Sequence, residues 1–421
     1  MTDPALDPTR GLVAFGANDS VLVLNSGSSS VKYQLVNPAG GEAVASGIVE
    51  RIGEEQGLVK HEFAGVTTRR EQPVADHTAA LEIVLALFDE VGPHLGDANV
   101  VGVGHRVVQG GSRFVGPTLL DDDVVQAIED LIPLAPLHNP AHVQGIRVAR
   151  RLLPDVPHVA IFDTAFFHTL PEPAYTYALN REVAERYGVR RYGFHGTSHQ
   201  YVSGKAARVL GRDLGSINQI VLHLGNGASM SAVRGGVAVE TSMGLTPLEG
   251  LVMGTRTGDI DPAVVFHLAR EGGMTIDQID DLFNKQSGIK GFTGQNDFRE
   301  LRRMIEAGDK EAELAFDVYV HRLRKYLGAY VAVLGRVDVI SFTAGVGEND
   351  AIVRARVIEG LEPLGIAIDP ERNEQRSSEP RTISPAWTQT KVMVVPTNEE
   401  LAIARQVVAL VRDSAQTSPV E

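Results

Sequence analysis

The chain has no cysteine and a single tryptophan among its 421 residues. Lack of cysteine excludes disulfides, thiolate nucleophiles and sulfur-ligated metals, and agrees with a reducing, cytoplasmic setting. Long apolar runs are missing too: the longest, Tyr326 to Gly335, has ten residues, about half of what a membrane-spanning helix needs. Residues 1–20 lack the basic-then-apolar order of a secretion signal and are expected to form an extension ahead of the first strand. Positive charge is scarce, with 39 Lys and Arg against 53 Asp and Glu and a formal charge of -14. The basic stripe that a nucleic acid would require is therefore not expected, and any anionic ligand must be met by a few local cations.

What remains is the composition of a soluble globular enzyme with aliphatic cores, in a chain long enough that two domains are expected. One polar pattern, Asn-x-x-Ser-x-Ser, occurs in each half after a short apolar run. The first copy holds Asn25, Ser28 and Ser30 after Val21 to Leu24, and the second holds Asn226, Ser229 and Ser231 after Ile220 to Gly225. Small residues in a tight turn leave backbone N–H groups free, so each copy reads as a phosphate loop. Along a strand Ser28, Ser30 and Lys32 share a face, which suits a phosphate. The bland alternative is a serine-rich hairpin with a surface lysine; on one loop the two readings balance, and the repetition favours function.

Short β-branched runs at 21–24, 31–36, 44–49 and 58–63 predict an antiparallel start to a sheet. Apolar periodicity then predicts a helix over 77–91, a buried strand over 100–108, helices over 121–131 and 140–153, and a strand over 158–162. The second half echoes this order: a helix over 198–210, strand-turn-strand over 220–240, helices over 262–271, 276–285 and 311–334, a strand over 337–343, a turn over 344–347 and a final helix from about Glu399.

Charged groups collect at the ends of these elements. Arg106 follows an apolar strand and precedes the turn Gln109-Gly110-Gly111. Arg256 lies in a glycine-bearing loop with Asp259 and Asp261, whose carboxylates could hold it; an exposed pair of that kind contributes only about 0 to 1 kcal/mol. His138/His142 and His195/His199 are spaced four apart, but no glutamate lies within either pair, and Pro140 and Gly196 interrupt the helix that zinc would need. A hydrogen-bonding or structural role is expected instead. Asp163 ends a strand, and Glu399 and Glu400 open a helix, where they either complement the helix dipole or help bind magnesium.

Nine motifs in order carry a resemblance across nearly the whole chain: 25–32, 104–106, 136–140, 162–166, 191–199, 223–229, 254–262, 342–349 and 396–400. Together they resemble the acetate kinase (acetokinase) family, of the superfamily of acetate and sugar kinases, heat-shock chaperones and actin. The fold this implies is α/β, with two duplicated domains of ribonuclease H-like, actin-like ATPase type: mixed sheets flanked by helices, with the active site in the interdomain cleft. The implied boundaries are 21–165 for domain I, 166–399 for a nucleotide-binding domain II, and a C-terminal helix, 400–421, packing back on domain I.

The resemblance also implies reversible transfer of the γ-phosphoryl group of ATP to acetate, giving acetyl phosphate and ADP, with magnesium or manganese in its place, in a homodimer. Its catalytic set maps to Arg106, His138, Asp163, His195 and Arg256, with Asn25, Asp163 and Glu399 positioning the metal. Val108, Leu137, Phe194 and Pro247 would surround the acetate methyl. ATP would meet Ser28, Ser30 and Lys32; His223, Leu224, Gly225, Asn226 and Gly227; Asp297, Phe298 and Arg299; and Gly345, Val346, Gly347, Glu348 and Asn349. Gln109 stands where the family often has histidine. A propionate or butyrate kinase would share these groups, and an actin-like ATPase would share the scaffold; a P-loop ATPase is excluded because Gly-x-x-x-x-Gly-Lys-Ser/Thr does not occur.

Overall fold

The computed structural model describes residues 15–417, so most of the expected extension, 1–14, lies outside the described residues. The chain divides into two compact units, 1–165 with 398–421 and 166–397.

The first unit is built on an eight-stranded sheet. Its strands are β1 (Ser20–Ser26), β2 (Ser30–Val36), β3 (Ala43–Glu50), β4 (Gly57–Phe63), β5 (Val66–Gln72), β6 (Val100–Val107), β7 (Thr118–Leu119) and β8 (His158–Phe162), in the order β5-β4-β3-β2-β1-β6-β8-β7. The six-stranded sheet of the second unit contains β9 (Asn218–Leu224), β10 (Ala228–Arg234), β11 (Val237–Thr241), β12 (Val339–Thr343), β13 (Arg381–Thr382) and β14 (Lys391–Val394), in the order β11-β10-β9-β12-β14-β13.

The duplication is visible in the pairing. In each unit three sequential strands meander antiparallel, the first of them pairs parallel with a later strand, that strand pairs parallel with another, and a two-residue antiparallel strand closes the edge. This is a ribonuclease H-like order in duplicate.

Strand β6 shows how composition sets the layering. Val103 joins the core made with helices His77–Glu90 and Asn139–Leu152. Its neighbours Gly102 and Gly104 point the other way, as strand alternation requires, and a Cβ on them would come within 2.7 Å of Val407 and 2.6 Å of Ile403. These glycines let the C-terminal helix, Glu399–Thr417, lie directly on the strand. In the second unit helices Gly196–Val209 and Lys310–Leu334 cover the sheet.

Several elements depart from the expectations. β5, Val-Thr-Thr-Arg-Arg-Glu-Gln, is a sheet edge without a buried face, so it carries no apolar alternation to read. Residues 344–347 are not a turn but open the helix Ala344–Asn349, with Ala344 in the left-handed region. Helices Phe298–Glu306 and Ala351–Ile358 were not anticipated. Among the described residues no helix is long and apolar enough to cross a membrane.

Candidate active site

In the first unit Arg106, near the end of β6, meets Asp163, just past the end of the adjacent parallel strand β8. The contact is bidentate: Nε donates to Oδ1 at 3.0 Å and Nη2 to Oδ2 at 2.7 Å. Asp163 is 1% exposed, and its N–H donates to Val107 O, tying it to the same strand end. Glu399 Oε2 lies 4.0 Å from Arg106 Nε. Burial opposes the charge on Arg106, but Asp163, Glu399 and Glu400 outweigh it and hold the guanidinium above its usual value. Burial, relieved in part by Arg106 and reinforced by Asp163 and Glu400, pushes Glu399 up to about 7. Several carboxylates thus share one cation, and the local site is short of positive charge.

His138 immediately precedes helix Asn139–Leu152. Asn139 pins that helix to the turn after β6, accepting from Gln109 N at 3.2 Å and donating to Gln109 O at 3.1 Å. One turn along, His142 is 5% exposed, and among the described residues neither ring nitrogen has a partner. Burial, aided by Arg106, His138 and His77, pulls it down to about 3. A histidine whose folded value lies below its ordinary 6.5 contributes stability that is fully present above 6.5 and is lost as pH falls toward 3. Denaturant titrations are expected to show His142→Leu losing about one proton's worth of acid sensitivity relative to wild type, on the order of 3 kcal/mol between about pH 6.5 and 4. Equal pH slopes for the two proteins would refute the buried-neutral assignment.

In the second unit Arg256 behaves differently from the expectation. Its nearby carboxylates are occupied: Asp259 takes Tyr326 Oη and Gly250 N–H, and Asp261 caps Ala263 N–H. Among the described residues the hydrogen-bond partners of the Arg256 guanidinium are Pro247 O at 3.1 Å and Met253 Sδ at 3.7 Å, both from Nη1. Burial pushes this guanidinium below its usual value. A Cβ placed on Gly227 would sit 3.4 Å from Arg256 Nη1 and 3.6 Å from His195 Nε2. The loop Gly225–Gly227, Arg256 and His195 therefore form one cradle, in which Arg256 has no carboxylate partner among the described residues.

His195 precedes helix Gly196–Val209 in the left-handed region, with φ of 58°, a conformation costing roughly 1–2 kcal/mol for a residue with a side chain. Its ring stacks on His223 at 4.2 Å, and Nδ1 lies 2.9 Å from Ser229 Oγ. His223 Nδ1 in turn meets Ser198 Oγ, which bonds Thr397 Oγ1.

The two copies of the repeat fall at different phases of their hairpins. Asn25 is still within β1, opposite Lys32, and the exposed Ser28 lies in the turn with Lys32 exposed on β2. Asn226 is itself in the turn, while Ser229 and Ser231 lie on β10 with no exposure. The second pair of serines therefore faces His195 and His199, which the pattern alone did not reveal.

A cavity of about 750 Å³ opens in the second unit, lined in part by Asn226, Asp297, Phe298, Arg299, Val346 and Asn349. Gly225, Gly345 and Glu348 also reach it, while Gly347 supplies a carbonyl to buried Arg354. Asp297 caps helix Phe298–Glu306 and pairs with Arg299, which together hold its carboxyl down to about 2. Asn296 and Arg302, flanking Asp297 to Arg299, and the remote Arg381 line the cavity as well; no motif pointed to them. Leu224 is buried under its hairpin. Of the residues expected around a substrate methyl, Val108 and Phe194 are buried, Pro247 is partly buried beside Arg256, and Leu137 is 42% exposed.

Residues 20–405 match the model of the acetokinase family. The chain is 58% identical over 387 residues to the acetate kinase of Corynebacterium efficiens, covering 91% of this chain and 97% of that one. It is 59% identical over 396 residues to the acetate kinase of Streptomyces coelicolor, covering 94% and 97%. Among solved structures, it superposes on Porphyromonas gingivalis acetate kinase with a TM-score of 0.89 at 42% identity, covering 93% and 100%. A propionate kinase from Francisella tularensis gives 0.88 at 40%, covering 93% and 99%. With the family model spanning all but the two ends and curated relatives matched over almost their full length, this chain belongs to the acetokinase family.

Proposed function

We propose that the protein transfers the γ-phosphoryl group of ATP to acetate, reversibly and directly, giving acetyl phosphate and ADP. The observation that carries this reading is the cradle of Arg256, His195 and Gly227: a partly buried guanidinium without a carboxylate partner among the described residues is costly unless an anion arrives to meet it. The curated relatives, acetate kinases at 58% and 59% identity, support acetate as acceptor. The two solved structures, one for acetate and one for propionate, lie too close together in likeness to separate the acceptors.

Acetate is already ionised at neutral pH, so it needs no general base. A carboxylate oxygen attacks the γ-phosphorus as the bond to the ADP oxygen breaks, and no proton has to move. Arg106, held flat by Asp163, is assigned to the acceptor carboxylate and the transferring group, with His138 organising that end. Arg256 and His195 are assigned to the equatorial phosphoryl oxygens, where charge spreads during transfer. Val108, Leu137, Phe194 and Pro247 would enclose the methyl group. Lys32, Ser28 and Ser30, with the Gly225–Gly227 loop, would meet the phosphates, and the cavity beside Asp297 to Arg299 and Gly345 to Asn349 would take the nucleoside.

The carboxylates of Asp163 and Glu399, sharing the Arg106 cation, fit a hard cation such as magnesium, with Asn25 completing the proposed oxygen ligands. When bound, that ion supplies charge neutralisation on the β- and γ-phosphates. A homodimer working in the cytoplasm belongs to the same proposal; light scattering on the purified protein checks the dimer.

Acyl phosphate formation with acetate, propionate and butyrate tests the reading. Acetate is expected to give the highest kcat/KM. One methylene is worth only about 1–3 kcal/mol, so a higher value for propionate would reassign the acceptor, and acetate-independent ATP hydrolysis alone would overturn the whole reading. Gly227→Ala supplies a second check. Its methyl would make only ordinary contacts, at 3.4–3.6 Å, with Arg256 and His195, yet it fills the space assigned to a phosphoryl oxygen. Turnover is expected to fall by at least about tenfold with an unchanged melting temperature, as for other misplacements in a preorganised site; unaltered turnover would remove this loop from the site.

A further inference from the structure

We infer that Ser231, His199 and Ser229 form a one-way hydrogen-bond relay that holds His195 in the tautomer carrying its proton on Nε2. The inference rests on the phosphoryl-transfer reading for its consequence, though not for its geometry. His195 and His199 are one helical turn apart, with His199 N–H donating to His195 O. Ser229 and Ser231 alternate along β10 and so share a face. The result is a continuous chain: Ser231 Oγ to His199 Nδ1 at 2.7 Å, His199 Nε2 to Ser229 Oγ at 2.7 Å, and Ser229 Oγ to His195 Nδ1 at 2.9 Å. His199, Ser229 and Ser231 have no exposure.

Counting protons gives the chain its direction. Among the described residues the only hydrogen-bond partner of Ser231 Oγ is His199 Nδ1, and a buried hydroxyl proton without an acceptor is costly. Ser231 O–H therefore donates to His199 Nδ1. The imidazole is then neutral, so its proton sits on Nε2 and is donated to Ser229 Oγ. Ser229 has one proton and two nitrogen neighbours; having accepted from His199, it donates to His195 Nδ1. That leaves the His195 proton on Nε2, which, like Arg256 Nη1, lies beside Gly227 in the cradle. Burial and His223 hold His199 well below the ordinary histidine value, which agrees with a neutral ring.

A neutral histidine in this tautomer donates a hydrogen bond to a phosphoryl oxygen without first being protonated. The groups facing His195 include His223, stacked on it from β9, Arg256 across Gly227 and, through Ser229, His199 from its own helix. Ser229, Ser231 and His199 are positioning residues, acting through His195.

The test pairs kinetics with nitrogen-15 NMR of the imidazoles, the His195 signal being assigned by its loss in His195→Asn. In wild type at about pH 8 the His195 Nε2 is expected to be protonated and Nδ1 bare; a protonated Nδ1, or a mixture, overturns the inference whatever the activity. In Ser229→Ala the hydroxyl that donates to Nδ1 is gone, and the His195 spectrum is expected to become a mixture of the two tautomers, with kcat lowered about twofold or more and both KM values little changed. His199→Gln, which keeps an N–H directed at Ser229, is expected to retain the wild-type His195 tautomer. An unchanged His195 spectrum in Ser229→Ala overturns the relay. Absence of acetyl phosphate formation by the wild type would overturn the activity reading and leave the tautomer spectrum as an independent result.

Discussion

Replacing Arg256 by alanine is expected to lower kcat by more than a hundredfold without lowering the melting temperature. The two halves of that expectation have separate causes. Arginines placed on the equatorial oxygens of a transferring phosphoryl group contribute roughly 10³ to 10⁵ in rate in related enzymes. Arg256 is placed to act so because its own loop does not satisfy it: Asp259 and Asp261 are engaged elsewhere, leaving a backbone carbonyl and a thioether. Its removal strands no buried carboxylate, and burial already opposes its charge. Steady-state kinetics beside thermal unfolding check both halves. Near-normal turnover would remove Arg256 from the chemistry, and a large fall in stability would mean that it is structural.

Arg106→Ala is expected to lose a similar factor in turnover but to destabilise the fold as well. Asp163 is 1% exposed and takes both of its guanidinium bonds from Arg106. Breaking a buried pair from one side typically costs about 3–5 kcal/mol, because the remaining charge stays desolvated. Glu399 and Glu400 add to the repulsion once the cation is gone. Arg106→Ala combined with Asp163→Ala should recover much of the stability and none of the activity. A single variant as stable as wild type would contradict the buried-pair account; an active double variant would contradict the catalytic one. The contrast separates the two arginines, one preassembled with its carboxylate and the other left for the ligand.

Much of this was legible in the chain because local chemistry and tertiary placement agree. Apolar runs broken by Gly- and Ser-rich turns marked the hairpins β1–β2 and β9–β10, and strand ends marked Arg106 and Asp163. Sequence neighbours misled where side chains turn away from each other. Asp259 lies three residues from Arg256 yet bonds Tyr326 on a distant helix. The repeated Asn-x-x-Ser-x-Ser suggested equivalent phosphate loops, but a shift in hairpin phase sends Ser229 and Ser231 inward to His199. Spacing alone could not report that shift, because strand register is decided by which face is buried. Arg302 reaches the cavity one turn beyond Arg299 on the same helix, and Arg381 from a short edge strand, and no motif marked either.

The central claim is that no side chain becomes covalently phosphorylated: the protein positions two anions and stabilises the charge that passes between them. The most direct measurement uses ATP made chiral at the γ-phosphorus with oxygen isotopes and sulfur, converted in the presence of acetate, with the configuration of the product read afterwards. A single direct displacement is expected to invert the configuration at phosphorus. Retention would require two successive displacements through a phosphorylated group of the enzyme, and would contradict the account.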